Sequence, residues 1–195
     1  MQEQSHYAVG IDIGTKKVRC VIGHIDETTG APRIIGVGQA PNSGMRKGVI
    51  THLNGPAAAI DTALDAAERM SGHRVNQAAL GANGVHIIST KVDGMVAVNA
   101  SSSEVTEDDV ARLENVATVG KVPANREILE VVPYEYRLDG QNNIKNPIGM
   151  TGTRLELRAN VVSGLVPHLG NLHKLAEMSN IDAVRIVPTV LASAQ

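Results

Sequence analysis

Phenylalanine and tryptophan are absent from this chain, and Tyr7, Tyr134 and Tyr136 are its only aromatic residues. Binders of single-stranded nucleic acid stack bases on aromatic rings, so that class is disfavoured at once. A net charge of -2 supplies no field to draw in a polyanion. Nucleic acid is therefore not an expected partner. Cysteine is almost as scarce. Cys20 stands alone, which excludes an intramolecular disulfide and a zinc site built on paired thiolates. It sits in an apolar strand pattern and reads as a buried, inert thiol. Long apolar runs are also missing: none approaches the roughly 20 residues that span a bilayer. The opening MQEQSHY lacks the basic and apolar regions of a signal peptide. The expected location is the cytoplasm.

What is present is a core of Val, Ile, Leu, Ala and Met, within a hydrophobic fraction of 43%. Three strands open the chain, at residues 7–13, 17–25 and 33–39, with the turn DETTGAP before the third. No helix follows the first strand directly, so a Rossmann fingerprint is disfavoured. The stretch PNSGMRKGVITHLNGP reads as a loop. A helix starts near Asn54, with Pro56 suited to its first turn and Ala57, Ile60, Leu64 and Ala67 on one face. Residues 77–82 form a short buried strand.

The pattern then changes. Residues 85–91 and 95–98 read as two strands joined by a VDG hairpin turn. Thr106 is a good N-cap for a helix whose first turn is acidic, with Val110, Leu113 and Ala117 as its buried stripe. A long strand covers 128–138, and DGQNNIKNPIGMTGT reads as a loop. In RLELRANVV, Leu155, Leu157, Ala159 and Val161 alternate with Arg154, Glu156, Arg158 and Asn160, which marks a half-exposed antiparallel strand. Leu169, Leu172, Leu175 and Ala176 mark a last helix, and residues 183–187 a last strand. Without the block 83–162 the order is βββαβ then αβ. That is the order of an RNase-H-like, actin-type α/β half-domain with a five-stranded mixed sheet and helices on its faces.

Asp12-Ile13-Gly14-Thr15-Lys16-Lys17 lies between the first two strands. One reading is a hairpin with a charged tip. The other is half of a nucleotide clamp. In a clamp Gly14 admits phosphate close to the backbone, Thr15 and turn N–H groups donate to phosphate oxygens, and Lys16 or Lys17 adds positive charge. Asp12 would repel phosphate, so its task there is to hold Mg²⁺. Ser43–Gly48, with Arg46 and Lys47 between glycines, suits either a nucleotide or subunit contact or a solvated loop. His168 and His173 are five apart, wrong for a helical zinc pair, and the other histidines are scattered. Asn99-Ala100-Ser101 is a glycosylation sequon, idle in a cytoplasmic chain.

The runs DIGTKKV, GMRKGVI, NREILEVVPYEYRLDG, IKNPIGMTGTRLEL and VRIVPTVLASA resemble the FtsA family of actin-like bacterial cell-division proteins. The resemblance implies a discontinuous subdomain 1A (residues 1–82 and 163–195) interrupted by subdomain 1C, an SHS2-type insertion (83–162). It implies a non-enzymatic role. Full-length members bind ATP with Mg²⁺, polymerise, link FtsZ to the inner membrane at the division septum through a C-terminal amphipathic helix, and recruit later division proteins. Gly14, Thr15, Lys16 and Lys17 match the first phosphate loop, with Asp12 as the metal residue. The exposed row Arg154, Glu156, Arg158 and Asn160 is a candidate partner face, and 1A/1C contacts are candidates for self-association. Two alternatives stand beside this: the actin-like pilus-assembly protein PilM, against which GMRKGVI and IKNPIGMTG argue, and the N-terminal half of a sugar or acetate kinase. No second phosphate loop occurs before Gln195, so the expectation is that this chain acts through protein contacts and binds little nucleotide alone. Calorimetry with Mg-ATP should give weak or no heat of binding; micromolar affinity would contradict the half-clamp reading.

Overall fold

A computed structural model describes residues 7–26, 28–98 and 103–193. The chain divides into two compact units, Met1–Ile87 with Val166–Gln195, and Ile88–Leu165. The first unit opens with β1 (Tyr7–Ile13), β2 (Lys17–Ile25), β3 (Pro32–Pro41), β4 (Met45–Arg46), β5 (Val49–Ile50), α1 (Asn54–Ser71) and β6 (Gln77–Ala82). The second contains β7 (Ile88–Ala97), α2 (Glu107–Thr118), β8 (Arg126–Leu138), β9 (Gln141–Ile144) and β10 (Arg154–Leu165). The chain returns to the first with α3 (Val166–Met178), β11 (Asp182–Pro188) and α4 (Thr189–Ala192). The sequon at residues 99–101 lies outside the described residues.

In the first unit the sheet order is β11-β6-β1-β2-β3. β1, β2 and β3 form the antiparallel meander, while β6 runs parallel to β1 and β11 parallel to β6. This is the expected mixed five-stranded sheet of an actin-like half-domain. Alternation along β1 and β2 turns Ile11, Ile13, Val18, Cys20 and Ile22 to one face, where they are buried. Ile60, Ala63, Leu64 and Ala67 of α1 and Leu169, Leu172, Leu175 and Ala176 of α3 are among the buried helical residues of this unit. Each fully buried Leu or Ile contributes about 1.5–3 kcal/mol through burial. The helix α1 approaches β3 very closely. A Cβ on Gly38 would stand 1.8 Å from the Ala63 carbonyl oxygen, and one on Gly36 would stand 2.5 Å from that of Ala67. Cys20 is fully buried, and burial, helped by Glu68, pushes its thiol up to about 11. The thiol is inert at neutral pH. The segment expected as a plain loop holds the β4–β5 hairpin instead, because Lys47 and Gly48 (φ 50 and 76) supply the two left-handed residues such a turn needs.

The second unit is a four-stranded antiparallel sheet, order β7-β10-β8-β9, with α2 against one face. Val92, Val96, Leu113, Ala117, Leu138, Leu155, Leu157 and Val161 are among its core residues. Thr106 caps α2 as expected: its hydroxyl accepts from the Asp109 N–H (3.2 Å), and the Asp109 carboxylate accepts from the Thr106 N–H (3.0 Å). The Thr106 N–H, then the Thr106 hydroxyl donating to the same carboxylate oxygen (2.8 Å), hold the Asp109 carboxyl below its ordinary range. Val110 is only half-buried, and Asp109 is buried beside Leu113 and Ala117.

Two expectations fail here. VDG is not a hairpin turn, since β7 runs unbroken through it with Gly94 opposite Leu157 of β10. Gly94 serves a close approach: a Cβ there would lie 2.7 Å from the Ala117 Cβ and 2.9 Å from its Cα. The turn is elsewhere, at Asp139-Gly140 (φ 49 and 88), and it pairs β8 with the unforeseen strand β9. Gly94→Val should lower the stability of this unit by about 1–3 kcal/mol through overpacking against α2. Urea unfolding followed by circular dichroism measures this; no loss of stability would mean that α2 shifts freely.

Candidate functional site

The residues singled out at the first turn lie where the carboxyl ends of β1 and β6 stand side by side, the usual place for ligands on open α/β sheets. The β1–β2 turn is tight. The Gly14 N–H donates to the Lys17 carbonyl (3.0 Å), and a Cβ on Gly14 would lie 2.8 Å from that oxygen. Asn42 braces the turn from the end of β3. Its N–H donates to the Lys16 carbonyl (2.9 Å) and its side-chain Nδ2 to the Gly14 carbonyl (2.7 Å). The β4–β5 hairpin then closes over Thr15, whose Oγ1 accepts from the Gly48 N–H (3.0 Å). Gly48 is itself wedged against residues 83 and 84, since a Cβ would meet Asn83 Oδ1 and Gly84 Cα at 2.5 Å. Three loops distant in sequence thus meet around one turn.

Asp12, Gly14, Thr15, Lys16 and Lys17 are brought together, but their groups do not share one orientation. The Thr15 hydroxyl is spent as an acceptor toward Gly48 and keeps its own proton to donate. Lys16 and Lys17 are exposed. Asp12 lies on the opposite side of β1 from the buried Ile11 and Ile13. Its Oδ2 is 3.6 Å from Arg19 Nη1 on β2, while its Oδ1 is buried with no hydrogen-bond partner among the described residues. Gly81 sits against that oxygen, where a Cβ would come within 3.3 Å. An unsatisfied buried carboxylate oxygen is costly, and a water or hydrated cation would satisfy it. Beside Asp12 an open apolar groove of about 350 Å³ runs over Gly10, Val21, Ala79 and Val187 toward α4.

Sequence reasoning missed Asn42, Arg19 and Gly81, and it treated Gly48 as loop. It also dismissed the histidines. His86 is buried and its ring stacks on His168, with centroids 4.6 Å apart. No group of three or more His, Cys, Asp or Glu suited to a metal occurs among the described residues.

The candidate row on β10 lies on the sheet face opposite the core. Arg154 and Arg158 are exposed, Glu156 and Asn160 half-exposed. The face is laced by ion pairs: Arg154 with Glu156, and Glu135 of β8 with both Arg137 (3.1 Å) and Arg158 (3.2 Å). Arg137, then Arg158, holds the Glu135 carboxyl below its usual range. β10 is an interior strand with neighbours on both sides, so strand addition at its edge is not available. No helix among the described residues is long and apolar enough to cross a membrane.

Comparison with known proteins places this geometry. Residues 84–163 match the family model described as the SHS2 domain inserted in FtsA. The cell division protein FtsA of Neisseria meningitidis serogroup B is 33% identical over 195 residues, covering 100% of this chain and 46% of the relative. FtsA of Bacillus subtilis is 34% identical over 185 residues, 95% of this chain and 42% of the relative. FtsA of Escherichia coli K12 is 32% identical, covering 95% and 43%. The chain spans less than half the length of these relatives. Among solved structures, the PilM-PilN type IV pilus biogenesis complex matches with a TM-score of 0.62 at 12% identity, covering 95% of this chain and 48% of that one. At that identity the likeness shows the fold alone. An actin-like half-domain with an SHS2 insertion, matched across both units by cell-division relatives, identifies the chain: it belongs to the FtsA family.

Proposed function

We propose that this chain supplies the first half of a Mg-ATP clamp and a partner-binding insertion to a cell-division actin homologue. The observation that carries the nucleotide reading is Asp12, whose buried Oδ1 has no hydrogen-bond partner among the described residues and lies one turn from Gly14 and Thr15. In this reading Gly14, Thr15, Lys16 and Lys17 cradle phosphate, and Asp12 holds Mg²⁺ through water. Bound Mg²⁺ would offset the charge of the phosphates. The remaining half of the clamp would come from sequence equivalent to the rest of the longer relatives. The family membership supports a role in which the whole protein polymerises, links FtsZ to the inner membrane at the septum and recruits later division proteins. This chain then works by protein contact rather than by catalysis, with 1A/1C contacts contributing to self-association.

The test uses a protein of the relatives' length that carries this chain. Asp12→Asn should weaken ATP binding about tenfold in the presence of Mg²⁺ and change it little in EDTA, while thermal unfolding of the unliganded protein stays near that of the parent. Equal losses with and without Mg²⁺ would remove the metal role from Asp12.

The charged face of β8 and β10 is the proposed partner site. Arg154→Glu with Arg158→Glu should reduce capture of division partners by several-fold at low salt, with the effect shrinking as salt rises. Undiminished capture would place the partner site elsewhere.

A further inference from the structure

The two larger sheets have four outer strands, and three of them are guarded. β3 begins and ends in proline, β11 has a register break between Ala183 and Arg185 and ends at Pro188, and β9 is four residues long. Prolines, bulges and shortness are the usual protections of an open edge. β7 has none of them. It is ten residues long, keeps one unbroken register with β10 from Ile88 to Ala97, and contains no proline. Among the described strands it pairs with β10 alone. At its end the Ala97 carbonyl also accepts from Arg112 Nη2 of α2 (2.7 Å). Ile88 and Met95 along it are exposed, at 43% and 55%.

We propose that β7 is a self-association edge, joining two copies of this chain by antiparallel strand pairing about a two-fold axis at Val92. The charges argue for a second copy over another chain. Lys91 and Asp93 are exposed, and neither is in an ion pair among the described residues. Both point to the sheet face away from the core, because Val92 between them is buried. In an antiparallel pair centred on Val92, Lys91 of each copy falls opposite Asp93 of the other, twice by symmetry. Opposite charges placed directly across strands stabilise the pair, and like charges there destabilise it. On the inner face the same register sets Thr90 opposite Gly94, and Ile88 opposite Val96. A single edge lysine ordinarily repels pairing. Asp93 two residues on converts it into a self-complementary pattern. The contact is isologous and closes at two copies, so it is independent of head-to-tail polymerisation and of nucleotide.

The test is a charge exchange on the full chain. Sedimentation equilibrium across a concentration series should show a monomer–dimer equilibrium for the parent. Lys91→Asp leaves two carboxylates facing two carboxylates, and Asp93→Lys leaves lysines facing lysines. Each variant alone should dimerise about tenfold or more weakly. An equimolar mixture of the two restores both opposite-charge pairs, and its dimerisation should return to the parental level. Both positions are exposed, so circular dichroism of each variant should show the parental fold. Asp93 lies across from Arg158 of β10, so Asp93→Lys should also lower monomer thermal stability slightly. The mixture experiment separates that loss from the loss of dimer. The proposal fails if the parent stays monomeric into the hundreds of micromolar, if either variant dimerises like the parent, or if the mixture stays as weak as its components. The last result would leave Lys91 as an edge guard.

Discussion

The short distance between helix backbone and strand backbone governs both units. Aliphatic side chains reach less far than aromatic rings, so a core without Phe or Trp reaches interior density by drawing its layers together. In the first unit Ala63 and Ala67 of α1 lie over Gly38 and Gly36 of β3 at separations that admit no side chain. In the second, Ala117 of α2 lies over Gly94 of β7. Alanine facing glycine is thus the shared solution, twice in the first unit and once in the second. It leaves little latitude in where a helix begins. The start of α1 is fixed in turn by Gly55, whose Cβ would meet the Ser43 carbonyl oxygen at 2.3 Å. That contact ties the helix start to the segment bearing the β4–β5 hairpin, and hence to the bond between Gly48 and Thr15.

How much of this was readable depended on the range of the interaction. The limits of β1, β2 and β6 follow from alternation and flanking turn residues, and α1 from its spacing of Ala57, Ile60, Leu64 and Ala67. Two Asp-Gly pairs were misjudged in opposite senses. Asp93-Gly94 and Asp139-Gly140 carry the same local signal, yet one lies inside a strand and the other makes a turn. What separates them is α2, which covers Gly94 and not Gly140, and no local window contains that fact. At the candidate site the order Asp-Ile-Gly-Thr was visible. The clasp on Thr15 was not, because it joins residues 33 apart. Likewise the outward row on β10 was legible from alternation, whereas its ion pairing with Glu135 depends on the register between strands.

The resemblance to FtsA supplied what periodicity could not, namely that the block between β6 and α3 is a unit of its own kind. The family match at residues 84–163 and the division of the chain at Ile88 and Leu165 describe that block by separate means. Neither bears on which side chains meet nucleotide. Those assignments stand on the chemistry of Asp12 and its turn.

The placement of the insertion has a consequence for the order of synthesis. The second unit is contiguous in sequence, so it can close as soon as β10 has emerged. The first is not. Its strand β6 gains its outer neighbour only when β11 arrives, about a hundred residues later along the chain. Until then β6 presents an open parallel edge with Leu80 and Ala82 lacking part of their cover, a partly made sheet waiting on a finished one. A nascent chain of this family therefore completes its guest before its host.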